Sequence, residues 1–147
     1  MIQLDADMQT AINNAFTDGC PILWTSAGTD GQPSSNFFGT TQAFSDHELA
    51  LWMRTPARGF LQRIAENPMV TMMYRNAGTR LTFQIHGEAR VTNDAAIDQR
   101  VYDNSVEAER NADPERKGLA IVVDVTRVIQ RGEVVQSRDG ATGAKVD

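Results

Sequence analysis

The chain has 147 residues, of which 41% are hydrophobic and 22% charged, and this balance is typical of a globular domain rather than a disordered chain. Its formal net charge of -5 argues against a nucleic-acid partner, because phosphate-binding surfaces normally carry a basic excess. A single cysteine, Cys20, excludes an internal disulfide, and no apolar run approaches the roughly 20 residues that span a membrane.

The first half of the chain combines one helix with extended segments. Asp5 or Asp7 can cap a short helix that ends at Gly19. Acidic residues at this point do not suit a secretory signal, so we expect a cytoplasmic protein. Turns at Asp30-Gly31 and at 45–48 then separate three predicted strands, which cover residues 21–27, 32–44 and 49–54.

The second half changes from helical to alternating periodicity and back. Apolar residues at helical spacing between Pro56 and Pro68 predict a short helix. The segment 79–92 alternates almost perfectly, with Gly87 on its apolar face, where a strand can bend or be approached closely. Further predicted elements are a strand over 69–75, a helix from 93 or 94 to about 111, and a strand over 118–128.

Six strands joined mostly by short turns favour an antiparallel arrangement, because a parallel sheet needs a crossover after nearly every strand. We therefore predict a mainly β, α+β fold, a six-stranded antiparallel β-barrel with flanking helices. No linker or repeat divides the chain, so residues 1–147 are predicted to form a single domain. After about residue 132 the sequence turns polar and glycine-bearing, which predicts a mobile tail.

No catalytic constellation is legible in the sequence. The only histidines are His47, in a predicted turn, and His86, in a predicted strand, and no GxSxG, GxGxxG or phosphate-loop motif is present. There is no Cys/His cluster with zinc spacing, so no metal site is predicted. The catalytic residues stay unknown at this point.

The segment 54–59 has the composition of a phosphate site. It joins the end of a predicted strand to the first turn of a predicted helix, whose free N–H groups and positive dipole end attract anions. Arg54 and Arg58 add fork-shaped donors, Thr55 adds a hydroxyl, and Gly59 allows close approach. Two solvated arginines on a loop are an equally good interpretation of this segment alone.

The segment 34–41 departs from simple alternation. It carries hydroxyls, an amide, two adjacent aromatics and a glycine, a mixture that can hold the polar edge and the apolar face of a planar heterocycle. The alternative is an edge strand in which Phe37 faces a subunit interface and Phe38 the core, or the reverse.

The order of these parts resembles a known family. A helix, a strand with an Asp-Gly turn, "GQP" at 31–33, "ENP" at 66–68 and "HGEARV" at 86–91 are similar to the pyridoxamine-phosphate-oxidase-like FMN-binding split barrels, over roughly residues 5–130. The resemblance implies a split barrel and a homodimer with two flavin sites at the subunit interface. The cofactor-binding positions that it implies are Asn36, Phe37, Phe38, Gly39, Thr40, Thr41, Trp52, Met53, Arg54, Thr55, Arg58 and Gly59.

The sequence also departs from that family. Phe60 stands where many members carry a basic residue, and Asn36 and Thr41 replace basic residues of the true oxidases. The C-terminal tryptophan and arginine motif of those oxidases has no counterpart after Gly132. These departures argue against vitamin B6 oxidation.

The resulting hypothesis is an FMN-binding oxidoreductase that transfers electrons or hydride to a small-molecule substrate whose identity the sequence leaves open. One alternative is a deazaflavin-dependent reductase on the same fold. Another is a non-catalytic protein that binds flavin or haem, with His47 or His86 as the candidate haem ligands. Neither a nucleic acid nor a membrane is expected as a partner.

Overall fold

The computed structural model describes residues 1–146. Its four helices in that range are α1 (Ala6–Asn14), α2 (Arg58–Glu66), α3 (Ala95–Asn104) and α4 (Glu107–Ala112). Its eight strands are β1 (Leu23–Ala27), β2 (Pro33–Phe37), β3 (Gln42–Ala43), β4 (Glu48–Met53), β5 (Met69–Arg75), β6 (Thr82–Val91), β7 (Leu119–Gln130) and β8 (Glu133–Ser137).

All strand pairs are antiparallel, and the sheet runs in the order β2-β1-β5-β6-β7-β4-β3, with β8 pairing β7 beside this path. The predicted mainly β, antiparallel fold with flanking helices is therefore confirmed, with eight strands instead of the six predicted. The hydrogen-bonded path is not closed into a barrel. The short segment 38–41 nevertheless joins β2 at one end of the path to β3 at the other, so the sheet curls and its two ends lie near each other.

The predicted strand over 32–44 is in fact two strands, β2 and β3, separated by a turn. Thr41 donates its backbone N–H to the carbonyl of Phe38 over 3.3 Å, and its hydroxyl donates to the same oxygen over 2.7 Å. A threonine hydroxyl that bonds to the nearby backbone competes with strand pairing. The alternation of apolar and polar residues in the sequence does not reveal this competition.

The predicted helix over 93/94–111 breaks into α3 and α4. Asp94 caps α3 by accepting from the N–H groups of Ala96 and Ile97, as its residue type suggests. The break comes at Ser105, which is extended (φ -69°, ψ 154°) and donates its hydroxyl to the Val101 carbonyl over 2.8 Å.

The segment predicted to be a mobile tail contains β8. The turn before it consists of Arg131 and Gly132, both with positive φ (53° and 75°), as a two-residue hairpin loop requires. Val134 is buried, and the N-terminal amine of Met1 donates to the Ser137 carbonyl over 2.7 Å. Two valines in a polar stretch are a weak strand signal, so the pairing with β7 is visible only in the structure.

The main core lies between the sheet and helices α1 and α2. Its centre holds an aromatic cluster in which the ring centroids of Trp24, Phe38 and Phe60 are 5.0 to 5.9 Å apart in edge-to-face pairs. A smaller core packs the other face of β4 and β7 against α3, with Trp52 and Tyr102 at its centre.

Gly87 of β6 lies opposite a bulge in β7, where Thr126 is the extra residue, and it is approached closely, as its place on the apolar face allows. The pairing register with β7 shifts between His86 and Gly87, and a Cβ atom at Gly87 would lie 2.3 Å from Cγ1 of Val123. Among residues 1–146, no helix is long and apolar enough to cross a membrane. The cytoplasmic location stays a prediction.

Candidate functional site

An open groove of about 510 Å³ runs between the 38–41 turn, the end of β4 and helix α4. This volume includes space open to solvent. Most of the predicted cofactor-binding positions line it, namely Phe37, Phe38, Gly39, Thr40, Trp52, Met53, Arg54 and Thr55. The structure thus brings together two segments that the sequence singled out separately.

Packing and hydrogen bonds hold the 38–41 turn in place. The hydroxyl of Thr40 donates to the Trp52 carbonyl over 2.5 Å, which ties the turn to β4. The hydroxyl of Thr41 accepts from the indole N–H of Trp24 over 2.9 Å, so Thr41 is buried and anchors the turn to the core. Gly39 lies under Phe16, and a Cβ atom there would come within 2.8 Å of that ring.

The start of α2 offers unpaired backbone donors. Its N-cap residue, Ala57, makes no side-chain cap bond, and the first turn contains no acidic residue. The first N–H groups and the positive end of the dipole therefore remain available to an anion. Arg54, Thr55 and Arg58 are exposed around this point, although Arg58 stands at the helix start and does not line the groove.

Glu109 of α4 also lines the groove, and the sequence did not single it out. Its Oε2 lies 3.4 Å from Nε of Arg54, in an ion pair that is partly exposed. The pair lowers the attraction of Arg54 for an anion, so Arg58 is the less compensated of the two charges. No sequence signal could have identified Glu109, because the break between α3 and α4 decides where α4 lies.

The side chains of Trp52 and Met53 serve the interior rather than the groove. The indole of Trp52 packs in the smaller core, and its Nε1 donates to Oδ2 of Asp113 over 3.0 Å. Met53 is buried in the main core, and its sulfur accepts from the N–H of Ala57 over 3.3 Å. Both residues shape the groove wall, but neither ring nor thioether is free to stack on a ligand.

Asn36 of β2 and Gly59 of α2 do not line the groove, and both lie beside Arg63. Oδ1 of Asn36 accepts from Nη2 of Arg63 over 3.2 Å, and Nε of Arg63 donates to the hydroxyl of Ser26 over 2.8 Å. Arg63 thus links α2 to β1 and β2 by hydrogen bonds. Its position in a predicted helix does not indicate this role. Gly59 lines a separate cavity beside Arg63 and the hairpin turn.

The two histidines lie on different elements and have different surroundings. A hydrogen bond to Asp46 raises the pKa of exposed His47, and Glu48 adds to this effect. Burial lowers the pKa of His86, and the nearby charge of Arg127 lowers it further. In the described part of the chain, no group of three or more His, Cys, Asp and Glu side chains could hold a metal ion.

Comparison with known proteins gives matches among solved structures only, since no protein-family model and no curated protein matches the chain. An FMN-binding protein from Syntrophomonas wolfei subsp. wolfei matches with a TM-score of 0.65 and 8% identity, over 85% of this chain and 86% of that one. A protein of the pyridoxinephosphate oxidase family from Clostridium acetobutylicum matches with a TM-score of 0.62 and 12% identity, over 95% and 96%.

An F420 reductase matches with a TM-score of 0.57 and 20% identity, over 75% of this chain and 89% of that one. At these identities the likeness concerns the fold. The resemblance noted in the sequence is therefore confirmed at the level of architecture: the chain has the split-barrel fold of the pyridoxamine 5'-phosphate oxidase-like and FMN-binding proteins.

Proposed function

We propose that the protein binds FMN in the groove between the 38–41 turn and the end of β4, and acts as an oxidoreductase on a small molecule. The observation that carries the proposal is that the groove wall at Arg54 and Thr55 leads within three residues to the uncapped N-terminus of α2 at Arg58. A phosphate-bearing planar cofactor needs both an anion site and an adjacent cleft. The FMN-binding protein with the same fold supports this choice of cofactor.

One set of groups suits the phosphate of a flavin, and another suits its ring. The N–H groups at the start of α2, the hydroxyl of Thr55 and the guanidinium of Arg58 would hold the phosphate. Phe37 and the backbone of Gly39 would lie along the ring, since the Phe37 side chain is 67% exposed. A bound flavin supplies electron or hydride transfer, which agrees with the lack of an acid–base constellation in the sequence.

The test is an absorbance spectrum of the purified protein followed by titration with FMN. We expect flavin absorbance or saturable FMN binding, weakened by about tenfold or more in Arg58→Ala, because a charged hydrogen bond to phosphate is lost. Arg138→Ala is the matched control, since Arg138 is exposed and pairs with Glu88 elsewhere on the sheet. A colourless protein with no affinity for FMN would refute the proposal.

A deazaflavin coenzyme is the second candidate, and the fold match to an F420 reductase favours it. Its phosphate-bearing tail would use the same arginines. Competition decides between the two cofactors: displacement of bound FMN by stoichiometric deazaflavin, with no return at a tenfold excess of FMN, would identify the deazaflavin as the ligand.

We further propose that a second copy of the chain covers the outer face of β2, β1 and β5. Cross-strand pairing places Phe37, Leu23 and Met73 in one row on this face. Phe37, Met69 and Met73 are 67%, 64% and 39% exposed, which is unusual for apolar side chains that lie together. Phe37 also lines the groove, so a dimer through this face would place the groove at the interface.

Sedimentation velocity measures the oligomeric state of the protein directly. We expect a dimer for the wild type and a shift toward monomer for Met73→Asp, because a carboxylate would be desolvated in the interface. Val135→Asp is the control, since Val135 is similarly exposed (40%) on β8. A wild-type protein that remains monomeric at high concentration would contradict the dimer without bearing on FMN binding.

A further inference from the structure

A second cavity lies at the end of the sheet, where the β5–β6 turn meets the β7–β8 hairpin. Its volume, about 950 Å³ including space open to solvent, exceeds that of the groove, and the two have no lining residue in common. Leu81, Phe83, Ile129 and other apolar residues line it, together with two arginines, Arg80 and Arg131. It therefore combines an apolar surface with two permanent positive charges.

The backbone at both arginines is left-handed, with φ of 63° at Arg80 and 53° at Arg131. Arginine is uncommon in this conformation, because its Cβ crowds the backbone. In the two-residue turn at Arg131-Gly132, the favoured residues at the first position are Asn, Asp and Gly. The turns therefore do not explain why arginine stands at either position, whereas a role for the guanidinium groups would.

Among residues 1–146, no ion pair engages Arg80 or Arg131. Of the described residues that line the cavity, none is acidic, although the chain as a whole carries a net charge of -5. Glu133, the acid nearest in sequence to Arg131, forms its ion pair with Lys145. Thr82, Gln84 and Gln130 add neutral hydrogen-bonding groups to the same lining.

We propose that this cavity binds a small organic anion, whose carboxylate or phosphate is held by Arg80 and Arg131 and whose apolar body packs near Leu81 and Val146. Guanidinium groups match both oxyanions in geometry and charge. The apolar lining distinguishes this ligand from a bare inorganic ion, because burial of a hydrocarbon body adds affinity. The cavity shares no lining residue with the proposed flavin groove, but Met73 lies both in its lining and on the proposed dimer face.

The experiment is calorimetric titration of the full chain with phenyl phosphate, with inorganic phosphate and benzyl alcohol as partial ligands. We expect phenyl phosphate to bind at least about tenfold more tightly than either, since each partial ligand lacks one half of the interaction. Arg80→Asn and Arg131→Asn should each weaken phenyl phosphate binding by about tenfold or more.

These variants remove the charge while placing a residue that tolerates the left-handed backbone, so they are expected to fold. Arg116→Asn is the matched control: Arg116 also has a positive φ, of 55°, but packs on Tyr102 and does not line the cavity. Its variant should keep the affinity of the wild type.

Equal affinity in the wild type and in both cavity variants would overturn the proposal, as would phenyl phosphate binding no tighter than inorganic phosphate. Loss of the phenyl phosphate site on saturation with FMN would also overturn it, because the cavity would then belong to the flavin. FMN binding that Arg80→Asn leaves intact while phenyl phosphate binding falls would support two separate sites. Failure of FMN to bind at all would leave the test of this cavity unchanged.

Discussion

The indole Nε1 of Trp52 donates to Oδ2 of Asp113 over 3.0 Å, and this bond connects the groove wall to the segment before β7. Asp113 is 6% exposed and also accepts from the N–H groups of Lys117 and Gly118, at 2.8 and 2.9 Å. Burial acts to raise the pKa of Asp113, but these hydrogen bonds outweigh it and the pKa falls below its ordinary value of 3.8. Asp113 thus holds β4 and β7 together at the groove.

The first prediction concerns Asp113→Asn. Replacing the carboxylate leaves at least one buried N–H without an acceptor, so we expect a loss of about 1–3 kcal/mol in the free energy of unfolding at neutral pH. A group whose pKa is lowered by folding stabilises the protein above its unfolded pKa and loses that contribution as the pH falls through the folded value. The difference between wild type and variant should therefore shrink below pH 3.8.

Urea unfolding at several pH values measures this difference. Asp103→Asn is the control, because Asp103 is about half exposed and its variant should change stability little. A difference that grows as the solution is acidified would contradict the role of the ionised carboxylate.

The second prediction concerns Glu109→Gln and rests on the proposed flavin site. The variant removes the acid that lies 3.4 Å from Nε of Arg54, while its side chain keeps nearly the same volume. With one negative charge fewer beside the phosphate, FMN should bind several-fold more tightly, since partly exposed pairs contribute up to about 1 kcal/mol. Titration at low and high salt checks the cause, because the gain should diminish as salt screens the charges. Unchanged affinity at low salt would place the phosphate away from Arg54.

The third prediction concerns Gly87→Ala, opposite the bulge in β7. The added methyl would lie 2.3 Å from Cγ1 of Val123 and 2.8 Å from the backbone oxygen of Asp124. Because backbone cannot yield as a flexible side chain does, we expect destabilisation of at least about 1–3 kcal/mol, as for other overpacked cores. Thermal unfolding measures the loss. Gly78→Ala serves for comparison, since the nearest atom there is a side-chain oxygen of Asn76 at 3.3 Å, and a loss of equal size in both variants would argue against the close approach at β7.

The fourth prediction concerns the two histidines, which NMR can titrate individually. His47 should titrate above 6.5, because Asp46 stabilises its protonated form, and Asp46→Asn should lower its pKa. His86 should titrate below 6.5, because it is partly buried and lies near Arg127. Folding lowers the pKa of His86, so its contribution to stability is present above pH 6.5 and is lost as the pH falls through its folded value. A pKa of His47 below 6.5 or of His86 above 6.5 would contradict the corresponding assignment.

The sequence by itself determined the class of fold. Alternation in β6, the turn residues at Asp30-Gly31 and the helical spacing between Pro56 and Pro68 are local signals, and each one lies in the corresponding element of the structure. These predictions agree with the structure because side-chain periodicity and turn chemistry depend on near neighbours in the chain. For the same reason, segments 34–41 and 54–59 could be singled out as candidates before their arrangement was known.

Only the tertiary structure decided where strands stop and which side chains are accessible. The turn at 38–41 forms because Thr41 bonds both to Phe38 and to Trp24, a core residue distant in sequence. Trp52 was a candidate for contact with a cofactor, but its indole is buried against Asp113, and Glu109, which the sequence did not single out, also lines the groove. These outcomes depend on contacts between segments far apart in the chain. Such contacts cannot be predicted from the periodicity of the local sequence.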